Sequence, residues 1–357
     1  SNKDLPRNIT NERVTLAHNI RLSEQFEVLL LGSSRVRRIL TSGGGIRLAD
    51  KQVAAPFFGE RRVFNAALAG TNIYQMRRVF EHALYYHPVQ ELVLLLDDVM
   101  LNSNRLLGSG WNEYNYFGSP NYQTSLERAL SLADVSMLKA SAGILLADPL
   151  PATPVIDSRL LDVKNIWETA IGEFSRRDLY GCFEIGEEPR GELDRILALA
   201  KQNDVRVTLI ASFIHPSLFE YFYRSDEGKG VRVFLSAMRD AALRHNVPAW
   251  FFSPFSPVTL GTPRTSHASA DFLEKSDYSD PGHANHKIGI KLLERALKGT
   301  EQSDLLSYRL DKQSVEDVLK AIALQRQIRV HKEGIPFAEF LASHPLVAGQ
   351  NCPGHRS

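Results

Sequence analysis

Two stretches at opposite ends of the chain carry residue types that could act together on an acyl bond. Gly32-Ser33-Ser34-Arg35 presents serine hydroxyls directly after the apolar run Val28-Leu29-Leu30-Leu31, and Asp280-Pro281-Gly282-His283 presents a carboxylate and an imidazole within one turn of chain. A serine hydroxyl is a poor nucleophile until a base takes its proton and donors stabilise the oxyanion that forms. In that chemistry Ser34 is the nucleophile and His283 the general base, while Asp280 holds the imidazole tautomer and stabilises the imidazolium. The backbone N–H of Ser34, at an expected helix start, points toward a ligand. Gly70 follows a second short strand, where a glycine lets a backbone N–H approach a substrate oxygen closely. Ser34 and Gly70 are therefore the expected oxyanion donors.

Each of these residues also has a plainer reading. Gly-Ser-Ser turns after strands are common in α/β proteins, and Gly70 alone is a turn glycine. Asp97 and Asp98 read as helix caps or solvated strand-end charges. Asp280, His283 and His286 could share a metal ion, but no second cluster with ligand spacing accompanies them, so neither metal nor cofactor is expected. His215, before Pro216, either contacts substrate or caps the next helix. Arg35, Arg37 and Arg38 form a basic patch beside the turn, which either recognises an anionic sugar or phosphate or is a solvated helix face.

The elements that must position these groups alternate. Apolar runs at 27–31, 62–67, 91–96, 205–210 and 249–252 read as strands, most of them buried on both faces. Between them the pattern predicts helices over 35–40, 73–87, 191–202 and 231–245, with a last one at 284–297. The helix after Asn72 is the clearest: Ile73, Met76, Val79, Phe80, Ala83 and Leu84 share one face, Thr71 or Asn72 caps it and Pro88 ends it. Strand and helix in this order imply a three-layer α/β/α sandwich around a central parallel sheet. Residues 1–26 read as an N-terminal arm and 27–300 as the α/β/α domain. An insertion at about 101–190, rich in Trp111, Tyr114, Tyr116, Phe117 and Tyr122, caps one end of the sheet. Residues 301–357 read as a C-terminal helical extension with a helix at 315–328.

Composition narrows the classes further. With 357 residues, 43% apolar and 23% charged, the chain can bury a sizeable core. A net charge of +1, from 42 basic against 41 acidic side chains, argues against a nucleic-acid partner. The only cysteines, Cys182 and Cys352, make neither a disulfide framework nor a thiolate zinc site, and the sequence leaves open whether they pair. No apolar run reaches the roughly 20 residues that cross a bilayer. The polar opening Ser1-Asn2-Lys3-Asp4 leads to the expectation that any targeting or anchoring segment lies upstream.

Taken together, Gly32-Ser33-Ser34-Arg35, Asn65-Ala66-Ala67-Leu68-Ala69-Gly70 and Asp280-Pro281-Gly282-His283 resemble the spaced blocks of SGNH (GDSL-type) hydrolases. The Gly-Ser-Ser form is similar to that of envelope-associated members, such as those serving D-alanyl transfer to lipoteichoic acid and alginate O-acetylation. Uncharacterised bacterial SGNH-like proteins share the Asn72–Arg78 helix start, Leu96-Asp97 followed by Met100-Leu101-Asn102, and an Asp-x-x-His followed by Gly289. The resemblance covers about residues 25–300. It implies a flavodoxin-like sandwich of the SGNH type, with Ser34, Asp280 and His283 as catalytic residues and Gly70 in the oxyanion hole. It also implies a serine esterase or acyl (acetyl) transferase acting on an acylated carbohydrate or other small ester of the bacterial envelope. Membrane-bound biosynthetic partners and a periplasmic or cell-envelope location go with that reading. The family's third block supplies an asparagine donor where this chain has Asp97-Asp98. Either Asn72 or Asn102 replaces it, or the hole has two members, or the site is impaired and the protein is an SGNH-like carbohydrate-binding or assembly component. Arg35, Asp97, Asn102 and His215 are the remaining candidates for substrate contact.

Overall fold

A computed structural model of the chain describes residues 12–37, 39–40, 47–105, 172–212, 214–260, 278–280, 283–284, 286–299 and 305–333. For a few of these, 278–280, 284 and 286 among them, it describes the backbone alone. Strand β1 (Val28–Leu31), whose four residues are all buried, lies inside the sheet. It is flanked in parallel by β3 (Val63–Asn65) and β4 (Glu91–Leu96), with Val28 opposite Val63 on one side and Glu91 on the other. β5 (Arg206–Ala211) and β6 (Ala249–Phe252) extend the parallel array. Two short strands close the edges in antiparallel fashion, β2 (Arg47–Leu48) on β3 and β9 (Ser307–Arg309) on β6. A separate hairpin is formed by β7 (Tyr278–Asp280) and β8 (His283–Ala284).

The sheet order is β2-β3-β1-β4-β5-β6-β9. Counting only its parallel strands in chain order gives 2-1-3-4-5, the flavodoxin-like arrangement. The chain therefore reverses its direction of travel across the sheet beside β1. The carboxyl ends of β1 and β4 flank the crevice where such sheets hold ligands.

Both faces of the sheet are covered, for a reason legible strand by strand. Side chains alternate between faces with period two. Leu29 and Leu31 of β1, with Leu92, Leu94 and Leu96 of β4, enter one core. Val28 and Leu30, with Val93 and Leu95, enter the other. The larger layer is built from α1 (Glu12–Leu22), α3 (Ile73–Tyr86), α4 (Glu187–Gln202), α5 (Pro216–Asp226), α6 (Lys229–His245) and α8 (Val315–Arg326). The smaller is built from α2 (Lys51–Phe58) and α7 (His286–Lys298). An α/β fold with helices on both faces of the sheet is thus what the continuous apolar runs required.

The sequence pattern and the structure differ in several places. The helix expected over 35–40 is a single 3-10 turn, Ser34–Val36. It stops because the buried Asn65 amide donates to the carbonyls of Val36 and Ile39, and Leu40 turns to a positive φ of 61°. Helix α2, which contains Pro56, forms where the sequence pattern gave no helix, with Asp50 capping its start by accepting the Gln52 N–H at 3.0 Å. Past residue 300, β9 completes the sheet edge and Val315, Val318 and Ile322 of α8 join the larger core, so that the expected extension also contributes a strand. Cys182 is disulfide-bonded, while Cys352 falls outside the described residues. So do residues 106–171, with the aromatic cluster of the expected insertion.

Candidate active site

The turn after β1 is held by its first serine and presents its second. Ser33 is buried, accepts the Arg35 N–H on its Oγ at 3.2 Å and donates its hydroxyl to Asp97 Oδ2. Ser34 opens the 3-10 turn and is half-buried. Its backbone N–H meets no acceptor among the described residues, as is usual for the first N–H groups of a helical turn. Gly32 lets this turn lie against β4: a Cβ there would sit 2.5 Å from Val36 Cγ2 and 3.0 Å from the Leu95 carbonyl oxygen.

The second loop of the site runs alongside. Ala66 N–H donates to Leu30 O at 2.8 Å and Leu68 N–H to Gly32 O at 2.9 Å, so pairing with β1 continues past the end of β3. This carries Ala69-Gly70 past the Ser34 turn. Gly70 has φ 61°, a left-handed conformation that favours glycine, and its N–H also lacks an acceptor among the described residues.

The imidazole arrives from the other end of the chain. His283 Nε2 lies 2.7 Å from Ser34 Oγ, across a separation of 249 residues. A hydroxyl donating to Nε2 requires the proton of the neutral ring on Nδ1. Two features place His283 there. The β7–β8 hairpin pairs residue 280 with 283, and α7 starts just after it. Helix α7 in turn lies close over the segment following Ser34, because a Cβ on Gly289 would come within 2.5 Å of Ile39 Cγ1. The Asp280 backbone faces His283 across that hairpin, and its side chain lies outside the described residues.

Under the turn sits a buried charged cluster. The Arg35 guanidinium lies 3.7 Å from Asp97 Oδ2, donates to Asp98 Oδ1 at 3.3 Å and to the Tyr180 hydroxyl at 3.1 Å, and stacks 5.7 Å from the Phe174 ring centroid. Tyr180 donates to Asp98 Oδ1 at 2.9 Å. Burial alone lowers the Arg35 pKa, but its partners Tyr180, Asp97 and Asp98 outweigh it and hold the group above its ordinary value. Burial pushes the Asp98 carboxyl up, against the opposing pull of Arg35. It pushes the Tyr180 phenol well up too. The carboxylate that would repel an oxyanion therefore accepts the Ser33 hydroxyl and is faced by a guanidinium.

The other candidates are committed elsewhere. Asn72 caps α3, accepting the Gln75 N–H at 3.0 Å, while Gln75 Oε1 accepts the Asn72 N–H at 3.1 Å. Asn102 is buried, accepts the N–H groups of Asn104 and Glu184, and donates to Leu179 O at 2.6 Å. It ties the 179–184 segment to the end of β4. His215 Nδ1 accepts the Ser217 N–H at 3.1 Å and caps α5. Residues not singled out from sequence prove structural here. Ser33, Asn65 and Tyr180 hold the Ser34 turn, and no local pattern in the sequence marks them for it. Among the described residues no group of three or more His, Cys, Asp or Glu side chains is placed to hold a metal ion, and none of their helices is long and apolar enough to cross a membrane. A large cavity lies at the amino-terminal ends of β4 and β5, among Arg61, Glu91, Arg206, Trp250 and Arg309. Its charges are largely paired, Arg61 and Arg206 with Glu91 and Arg309 with Asp311.

Comparisons with known proteins are sparse. No protein-family model matches the chain, and no curated protein matches it. Among solved structures, one from Bacteroides fragilis, described as a "putative acylhydrolase", aligns with a TM-score of 0.36 and 11% identity over 79% of this chain and 93% of that one.

Proposed function

We propose that the protein is a serine ester hydrolase or acyltransferase of SGNH type. The observation that carries the reading is the 2.7 Å approach of His283 Nε2 to the half-buried Ser34 hydroxyl at the reversal point of the sheet. Ser34 Oγ attacks the ester carbonyl carbon while its proton passes to His283 Nε2. The oxyanion of the tetrahedral intermediate is received by the N–H groups of Ser34 and Gly70. Collapse expels the alcohol, which takes the proton back from His283, and leaves an acyl group on Ser34. Water, or a sugar hydroxyl, then gives its proton to His283 and attacks that acyl carbon; collapse breaks the bond to Ser34 Oγ, which takes the proton back from His283, and releases the acid or the newly acylated sugar. Asp280, facing His283 in the hairpin register, orients the ring in this scheme.

An acylated carbohydrate of the cell envelope, a periplasmic or envelope location and membrane-bound partners complete the proposal, on the strength of the sequence resemblance. A fluorophosphonate probe and a series of short-chain nitrophenyl esters test the chemistry. Wild type should be labelled and should turn over acetyl esters, and Ser34→Ala and His283→Ala should do neither. Equal labelling of wild type and Ser34→Ala would remove Ser34 as nucleophile.

A further inference from the structure

The geometry points to Ser33 and Asp97 as a buried positioning pair that aims Ser34, with Arg35 compensating the Asp97 charge; the inference rests on the reading of Ser34 as nucleophile. Ser33 is 5% exposed, Asp97 2% and Arg35 6%, so the three act out of reach of solvent and of any substrate. The single hydroxyl of Ser33 joins two levels of the fold. It accepts the N–H of Arg35, on the far side of Ser34, and donates to the carboxylate that ends β4. The peptide on either side of Ser34 is thereby fixed to the neighbouring strand, which sets both the Ser34 Oγ direction and the outward N–H. Arg35 is pinned independently through Asp98 and Tyr180.

Stability alone does not account for this arrangement. Replacing buried ion pairs by apolar side chains of similar volume is often neutral or stabilising. Asp97 Oδ1, moreover, is buried with no hydrogen-bond partner among the described residues, so the cluster is not one in which every acceptor is satisfied. What the carboxylate does achieve is to hold Ser33 through Oδ2. The acidic residue at the end of β4 therefore acts through Ser33 on the direction of the nucleophile, and its charge is met from below by Arg35.

The test combines kinetics with the position of Ser34. Ser33→Ala keeps the Arg35–Asp97–Asp98 charges intact, and so is the variant expected to fold. A displacement of about 1 Å in a reacting group can lower the rate on the order of 100-fold. Ser33→Ala is therefore expected to lower kcat and the maximal fluorophosphonate labelling rate roughly 10- to 100-fold, with KM changed less than about threefold. Asp97→Asn, which keeps an acceptor for Ser33, should lose less than Asp97→Ala. The Ser33→Ala/Asp97→Ala double variant should lose no more than the worse single one, since both act on one path. A crystal structure of Ser33→Ala should show Ser34 Oγ beyond hydrogen-bond reach of His283. Wild-type kcat in Ser33→Ala, or strictly multiplicative losses in the double variant, would overturn the inference. If wild type itself is neither labelled nor active, the nucleophile reading fails, and the crystal structure still decides the positioning: Ser34 unmoved in Ser33→Ala refutes it, Ser34 displaced upholds it.

Discussion

Gly32→Ala concentrates the structural reasoning in one added carbon. The new Cβ would lie 2.5 Å from Val36 Cγ2, 3.0 Å from the Leu95 carbonyl oxygen and 3.3 Å from Leu95 Cβ. Carbon atoms rest at about 3.5–4.0 Å, so the first contact is short by at least about 1 Å. The second is to strand backbone, which has no rotamer by which to move aside. The 3-10 turn must lift away from β4, at the upper end of the roughly 1–3 kcal/mol that overpacking a core typically costs. An unfolding entropy of about 2.1 cal/mol/K per residue over 357 residues gives roughly 0.75 kcal/mol/K. A loss of about 3 kcal/mol should then lower Tm by about 4 °C in scanning calorimetry. Fluorophosphonate labelling should slow at least about tenfold, because the lifted turn carries Ser34 away from His283. Adding Val36→Ala removes the closest clash but leaves the Leu95 contact, so the double variant should be more stable than the sum of the singles by about 1–2 kcal/mol. An unchanged Tm with unchanged labelling would refute the account of how this turn packs. Strict additivity would refute the assignment of the clash to Val36.

Other consequences follow from the same geometry. Asn65→Ala should lower stability by about 2–4 kcal/mol and slow labelling of Ser34. It strips the carbonyls of Val36 and Ile39 of a donor and the Ala67 N–H of its acceptor, and denaturant unfolding measures the loss. His87 donates from Nε2 to the Ile20 carbonyl of α1 and stacks on Phe26, while its buried Nδ1 has no partner among the described residues. Burial lowers its pKa in spite of the Ile20 bond. The stability it confers is therefore complete above the unfolded value of about 6.5 and is lost as pH falls through the lower folded value. Tm measured from pH 7.5 down to 5 should fall more steeply in wild type than in His87→Gln, and equal slopes would contradict this. Glu220, whose side chain is fully buried, receives Arg326 of α8 in a bidentate pair and Arg224 of its own helix. Glu220→Ala should cost about 3 kcal/mol, the low end for a broken buried pair since both arginines partly reach solvent. Proteolysis should then release α8 first.

How far the sequence reached depended on the range of the interaction concerned. Strand β1 was legible because a short apolar run ended by Gly32 suits a strand covered on both faces, and the start of α3 because Asn72 and Gln75 sit at capping distance. These are local facts. The 3-10 turn after Ser34 was not legible, since its length is set by Asn65, on another strand, taking carbonyls that a longer helix would have used. Strands β2 and β9 escaped notice because two or three residues at a sheet edge show no period, whereas of α5 the sequence reading had only the cap at His215.

The candidate site divides along the same line. By itself the sequence determined which residues carry reactive groups and that Ser34, Gly70 and His283 follow or precede elements of one α/β sheet, because side-chain chemistry and hydrophobic period are written residue by residue. Only the tertiary structure decided that Ser33 faces inward and Ser34 outward, that Asp97 is taken up by Ser33 and Arg35, and that His283 comes within 2.7 Å of Ser34. Those outcomes depend on strand order and on the close approach of α7 over Ile39 at Gly289. Contacts of that kind join residues far apart in the chain, and no local pattern encodes them.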